Sequence, residues 1–391
     1  MPRAVRLLIA LCALLPASAA LAGGWTVGVI VSATGPHADV GRAQAYAAER
    51  TAAAFARNGV FGAPFEVVVR DDAGDPGRAE VLAGELADAG AHAVVCCTTP
   101  AATARVANAL DTRMTPHLAL AEADLAGRFW SVSLAPTDRT RLTAIAVDAA
   151  GQGKASLAMM TLDSDFGGDA LEAFARALAD TGRELAGEAR YRSDAAVLTP
   201  EGLWIATRQP GAVVVWGLPR DLPAAVDGLR RRGYEGMVYV RDAALPALAW
   251  DRLAQAGAHV FDQDDAWAGL RVALPPAALA GLLPPDHPHA ASVAAFVGRV
   301  LGGDPSAASP SDRATMAQVD DALVWLHAAF EQVAAIGLDT GAVIRRLAVR
   351  DALIGAPLTR LAAGAYDARE TDPQAVRWQG LVVASVAPRA R

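Results

Sequence analysis

Short apolar runs of strand length alternate with helical patterns along this chain, and the alternation restarts once. Residues 25–31, 65–69, 92–97 and 117–121 form the first set of runs, with helical patterns at 40–57, 78–89 and 100–110 between them. After Trp130-Ser131-Val132-Ser133 the pattern begins again: strands at 156–161, 213–216 and 237–240, helices at 168–180 and 222–232. Alternation at this spacing specifies a doubly wound α/β sheet. Two such sets in tandem predict two Rossmann-like lobes, and 391 residues are enough to give each a core.

The remainder fixes how the lobes would join. Residues 267–274 are expected to return the chain to the first lobe. Helical patterns follow at 290–301, 315–336 and 338–353, with a Gly, Pro and Ser-rich loop at 302–312, then late strands near Tyr366-Asp367 and 378–386. Three crossings predict a hinge near residues 132–138, 268–275 and 355–362. The expected lobes are residues 23–133 plus 272–356, and 134–271 plus 357–391.

Residues 65–79, F-E-V-V-V-R-D-D-A-G-D-P-G-R-A, carry the most specific local signal. A β-branched run ends in Asp71-Asp72, and Asp75-Pro76 then offers an N-cap and a first-turn proline. This is a strand-loop-helix joint at the carboxyl end of a strand, where open α/β sheets build their ligand crevices. The joint resembles the D-D-x-x-D-P signature of type I periplasmic binding proteins, in the branch that feeds branched-chain amino-acid and amide ABC importers. Two further features fit the same family: the small-Thr-Gly-Pro turn at 33–36, and A-V-V-V-W-G followed by R-R-R-G-Y-E-G-M-V-Y-V in the second lobe. The resemblance runs in order over residues 25–391 and implies a two-lobed solute receptor.

Residues 1–22 read as a secretory signal peptide. Arg3 and Arg6 form the basic start, residues 7–15 the apolar stretch, and Ala20-Leu21-Ala22 the cleavage site. The apolar stretch is too short to span a membrane. Cleavage there removes two arginines and no acid, taking formal net charge from -7 to -9. No basic stripe offers itself to nucleic acid. Cys96 and Cys97 remain; neighbours in sequence close no useful loop, so either two buried thiols or a vicinal disulfide fits.

Catalytic signatures are absent: there is no G-x-S-x-G, no H-E-x-x-H and no Walker A, so no enzyme and no cofactor is expected. His287-Pro288-His289 reads as an exposed loop rather than a metal pair, and Asp262, Asp264 and Asp265 as a solvated acidic turn without an ordered calcium loop.

The resemblance implies a ligand site at the strand ends facing the cleft. Thr98 and Thr99 hold the place of the family's donors to the ligand carboxylate, at a helix start where an anion is welcome; the plainer reading is that they cap the helix. Ala121 and Ala123 replace the family's S-P-x-A-T contacts, with Glu122 and Asp124 interleaved. Either these acids point outward, which is the expectation, or the ligand is less anionic than usual. In the second lobe Phe166 stands for an aromatic cover, Trp216 for a cleft wall or core residue, and Asp242 for the acid that pairs with the ligand ammonium or merely caps a helix. Val40 falls where the family often has Tyr, so the pocket reads as unusually apolar. The resemblance implies a monomer that captures a small, partly apolar molecule and docks on an ABC permease. The alternative is a sensor domain reporting to a signalling partner.

Overall fold

The computed structural model describes residues 24–193, 198–245, 247–254, 267–337 and 341–387. The signal segment 1–22 and Asp262, Asp264 and Asp265 lie outside the described residues.

The first lobe opens with β1 (Trp25–Val31), α1 (Ala38–Phe55), β2 (Phe65–Asp71), α2 (Pro76–Asp88), β3 (Ala93–Cys96), α3 (Pro100–Asp111), β4 (His117–Ala119) and β5 (Ser131–Ser133). The second holds α4 (Asp138–Gly151), β6 (Ser156–Leu162), α5 (Asp165–Asp180), β7 (Glu184–Tyr191), α6 (Thr199–Ala206), β8 (Ala212–Trp216), α7 (Leu222–Arg230) and β9 (Met237–Val240). There follow α8 (Ala247–Trp250), β10 (Leu253–Ala254) and β11 (Leu270–Leu274). Next come α9 (Ala290–Val300), α10 (Pro310–Ile336) and α11 (Ala342–Ile354). The chain ends with β12 (Thr359–Arg360), β13 (Ala365–Tyr366), β14 (Val376–Arg377) and β15 (Val382–Val386).

The first sheet runs β2-β1-β3-β4-β5 and the second β10-β15-β11-β9-β8-β6-β7. All seven positions of β1 are buried, which is why it reads as an unbroken apolar run. It pairs in parallel with β2 on one side and β3 on the other, so strand order reverses there. That reversal is where an α/β sheet opens a crevice. Helices cover both faces of each sheet. In the first lobe α1, α9 and α10 take one face, where Trp25 stacks on Phe330, and α2 and α3 the other. In the second, α4 and α5 oppose α6 and α7.

The paired acid splices two loops. Asp72 accepts from Ser32 Oγ at 2.7 Å and Gly74 N–H at 2.8 Å, while Asp71 accepts from the Thr34 hydroxyl at 2.6 Å. Asp75 caps α2 through Gly77 N–H at 2.7 Å. Gly35 sits at φ +80°, and a Cβ there would run into Ala73 O, so the two loops can approach only at a glycine.

Two crossings fall later than their sequence positions. β11 pairs with β9 and β15, so the boundary expected at 271/272 lies inside a strand of the second sheet. Residues 267–274 thus stay in the second lobe, because Leu270, Val272 and Leu274 share a core with Val238 and Val240. Residues 359–377 form the small sheet β12-β13-β14, and Ala362, Tyr366 and Val376 pack into the first lobe's core. The third crossing is therefore the stretch between β14 and β15.

One face of α10 gathers the joining segments. Arg313 donates to the carbonyls of Ala277 at 3.2 Å, Ala278 at 2.7 Å, and Pro305 and Ala308 at 2.8 Å. Gln318 Nε2 donates to Leu134 O at 2.9 Å. Buried Asp321 accepts from Ala362 N–H at 2.9 Å, Ala363 N–H at 2.7 Å and the Tyr366 hydroxyl at 2.9 Å.

Candidate functional site

The lobes face each other across a cavity of about 490 Å³. Val40, Thr98, Leu120, Ala121 and Glu122 line it from the first lobe, and Arg141, Arg241 and Asp242 from the second. Leu134, Pro275, Gln318 and Ala363, on or beside the joining segments, close its floor. Thr98, Ala121 and Asp242 are thus the expected site residues that meet here.

Their chemistry differs from the expectation. Thr98 Oγ1 accepts from Ser32 N–H at 2.9 Å and donates to Gln44 Oε1 at 2.6 Å, so its one proton is used inside the lobe. Thr99 caps α3 by accepting from Ala102 N–H at 3.3 Å and does not line the cavity. Just before them Cys96 and Cys97 form a buried vicinal disulfide rather than two thiols. Ala123 lies outside the cleft, on a groove shared with Ser133 and Gln374.

Asp242 follows β9 as the spacing predicts, but it already holds a cation. Arg141 Nη2 donates to Oδ2 at 3.2 Å, and Arg141 Nε stands 3.1 Å from Oδ1 as an ion-pair contact outside hydrogen-bond alignment. Beside it, Arg241 Nε donates to Asp138 Oδ1 at 3.1 Å, and its guanidinium lies 5.3 Å from the centroid of the Phe166 ring. Phe166 lines an adjoining cavity of about 710 Å³ that shares Glu122 with the first. Trp216 is fully buried and forms no wall; its indole N–H donates to Asp138 Oδ2 at 2.9 Å. A tryptophan at a strand end reads the same in both roles until the helix covering it is placed.

Glu122 is the largest departure. Instead of pointing outward it lines both cavities. Burial of its carboxyl, then the neighbouring Asp138 charge, pushes its pKa up against the opposing pull of Arg141 and Arg241. Sequence reasoning missed both arginines. The available signals were Asp138 and Arg141, three apart at a helix start, and Arg241 beside Asp242. His289 is buried against Leu361 O at 2.7 Å rather than exposed, and its backbone N–H donates to His287 Nδ1. Among the described residues no three side chains gather as a metal site.

Two doubly wound lobes, joined by three crossings around a cleft lined from both sides, define a bilobed ligand-binding protein. The periplasmic binding protein family matches residues 24–387, and the chain belongs to that family, of the type I fold. Solved structures agree on the fold. An extracellular ligand-binding receptor from Rhodopseudomonas palustris HaA2 superposes with a TM-score of 0.66 at 19% identity, over 93% of this chain and 98% of its own. An ABC transporter substrate-binding protein from Desulfitobacterium hafniense gives 0.66 at 16% identity, over 94% and 98%. The branched-chain amino acid transporter substrate-binding protein LivJ from Streptococcus pneumoniae, in complex with isoleucine, gives 0.60 at 14% identity, over 93% and 99%. A comparison with curated proteins finds no match.

Proposed function

We propose that this protein is a periplasmic solute receptor. It captures a small, partly apolar molecule between its lobes and presents the closed form to the permease of an ABC importer. The observation that carries this reading is the cavity of about 490 Å³ walled by both lobes, with the joining segments at its floor. A ligand touching both walls stabilises the closed state by its differential affinity for closed over open, which is what a carrier needs. The cavity is within the usual range for small-molecule pockets. The protein performs no chemistry on its ligand and acts as a monomer. Export proceeds through residues 1–22, and the mature chain begins at Gly23. Among the described residues no helix is long and apolar enough to cross a membrane.

The test pairs two measurements. Native mass spectrometry of gently purified protein identifies a co-purifying molecule, and small-angle scattering at saturation with it should give a smaller radius of gyration. An unchanged profile at demonstrated saturation overturns the receptor reading. Intact mass of the exported protein checks the start at Gly23.

A further inference from the structure

Charges in the cleft fall into two classes, satisfied and open. The charge of Asp242 is satisfied, since Arg141 neutralises it with both side chains 15% exposed, while Oδ1 lies buried without a hydrogen bond. A ligand ammonium approaching Asp242 also meets the Arg141 guanidinium, whose repulsion offsets much of the attraction. The Thr98 hydroxyl is satisfied too, with its proton held by Gln44. The donor and acceptor that would hold an amino acid with its carboxylate on the first lobe and its ammonium on the second are both occupied.

Two groups are open. Glu122, on the first lobe, lines the cavity and makes no ion pair among the described residues, although the Asp138 backbone N–H and the more distant charges of Arg141 and Arg241 act on its carboxyl. Arg241, on the second lobe, uses only Nε, bonded to Asp138. Its two terminal nitrogens hold no carboxylate or carbonyl among the described residues. Asp138 is itself fixed by the Trp216 indole, and Phe166 backs the guanidinium plane. The chain Trp216–Asp138–Arg241 thus holds the free edge of the guanidinium fork in the cavity wall. That edge is the geometry that grips a carboxylate with two parallel hydrogen bonds.

We propose that the cleft binds a small zwitterion in one fixed polarity, its cationic group on Glu122 of the first lobe and its carboxylate on Arg241 of the second. This deepens the receptor reading and rests on it. The ligand is an amino acid in the broad sense, with the two charges on one carbon or separated along a short chain. Its apolar part lies between Val40, Leu120 and Ala121 on one side and Leu134 and Pro275 on the other. Lobe closure brings the two open charges to opposite ends of one molecule, so neither lobe alone completes the site.

Four probes test this by calorimetry. Leucine carries both charges on one carbon, 5-aminopentanoate carries them apart, 3-methylbutylamine is cationic only and 4-methylpentanoate anionic only. Wild type should bind at least one zwitterion roughly tenfold or more tighter than either singly charged probe. Which zwitterion binds tells the two arrangements apart. Glu122→Gln should lose that zwitterion by roughly tenfold or more and weaken the amine without weakening 4-methylpentanoate. Arg241→Gln should do the reverse, and Arg241→Lys should restore part of the anion binding. The double variant Arg141→Met/Asp242→Asn, which removes the pair without baring either charge, should cost the amine less than Glu122→Gln does. Far-ultraviolet circular dichroism confirms that each variant is folded. If that double variant costs the amine more than Glu122→Gln does, the polarity is the ordinary one and the proposal is wrong. Failure of wild type to bind either zwitterion at millimolar concentration also overturns it. A co-purified molecule lacking one charge would overturn the polarity and leave the receptor standing; absence of any ligand by both routes sinks both.

Discussion

Arg141, from the first turn of α4, closes on Asp242, the second residue after β9, with Nη2 donating to Oδ2 at 3.2 Å. Both belong to the second lobe, so the pair forms without any ligand and sets the charge that a ligand meets. Arg141→Met removes the cation and leaves a half-desolvated carboxylate. With both side chains about one-seventh exposed, the cost should be about 1–2 kcal/mol, below that of breaking a fully buried pair. The same change frees Asp242 to take a cation. Melting temperature should fall while affinity for 3-methylbutylamine rises. A drop in both would mean that Arg141 itself contacts the amine-bearing ligand.

Much of the fold was legible because it rests on local periodicity. The seven buried residues of β1 and the Asp75-Pro76 start of α2 follow from residue type and spacing alone. The crossings were less legible. Strand β11 is an apolar run that would fit either sheet, and only its partners β9 and β15 decide. Which residues line the cavity was partly legible; how their charges pair was not. Asp242 and Thr98 both line the cavity, yet what each offers depends on Arg141, 101 residues away, and on Gln44, 54 residues away. Pairing between distant residues leaves no trace in a linear pattern. Trp216 shows the same gap: as a strand-end aromatic it suits a wall, but α4 covers it and turns its N–H to Asp138.

Two histidines make stability depend on pH. Burial lowers the pKa of His117 to about 4, and burial with the Arg345 and Arg346 charges lowers that of His92 to about 4. Both values lie below the ordinary 6.5, so the unfolded chain binds more protons in that interval. Their contribution is complete above pH 6.5 and is lost as pH falls towards about 4. The slope should reach about 1.4 kcal/mol per pH unit for each histidine. Urea melts across this range should show the decline, and His117→Gln should make it shallower. A slope that the substitution does not change would assign the acid sensitivity elsewhere.

Trp216 bears on the cleft without touching it. Trp216→Phe keeps an aromatic ring in the core but leaves Asp138 Oδ2 without its donor. Losing one partner of a charged hydrogen bond should cost roughly 1–3 kcal/mol. Asp138 would then turn, and Arg241 would lose its fixed Nε contact. Binding of whichever zwitterion wild type accepts should weaken severalfold, with the preference for zwitterion over amine reduced most. Full affinity in this variant would show that Arg241 needs no support from the indole.

Along α10, Arg313 and Gln318 tie different crossings with different strength, and the difference separates stability from hinge motion. Arg313 is buried and satisfies four backbone carbonyls, including Ala277 and Ala278 just after the second crossing. Arg313→Leu leaves several buried acceptors unpaired at roughly 1–3 kcal/mol each, so the first lobe should melt markedly earlier. Gln318 makes one bond, to Leu134 O in the first crossing, at the cavity floor where water can replace it. Gln318→Leu should therefore change stability by only about 1 kcal/mol. It releases Leu134 from α10, so the unliganded protein should sample wider lobe openings. Small-angle scattering without ligand should then give a larger radius of gyration, and ligand binding should weaken severalfold because more of the population starts open. Should Gln318→Leu leave both the scattering and the affinity unchanged, the contact with Leu134 plays no part in holding the lobes, and the hinge must be governed by the segment between β14 and β15.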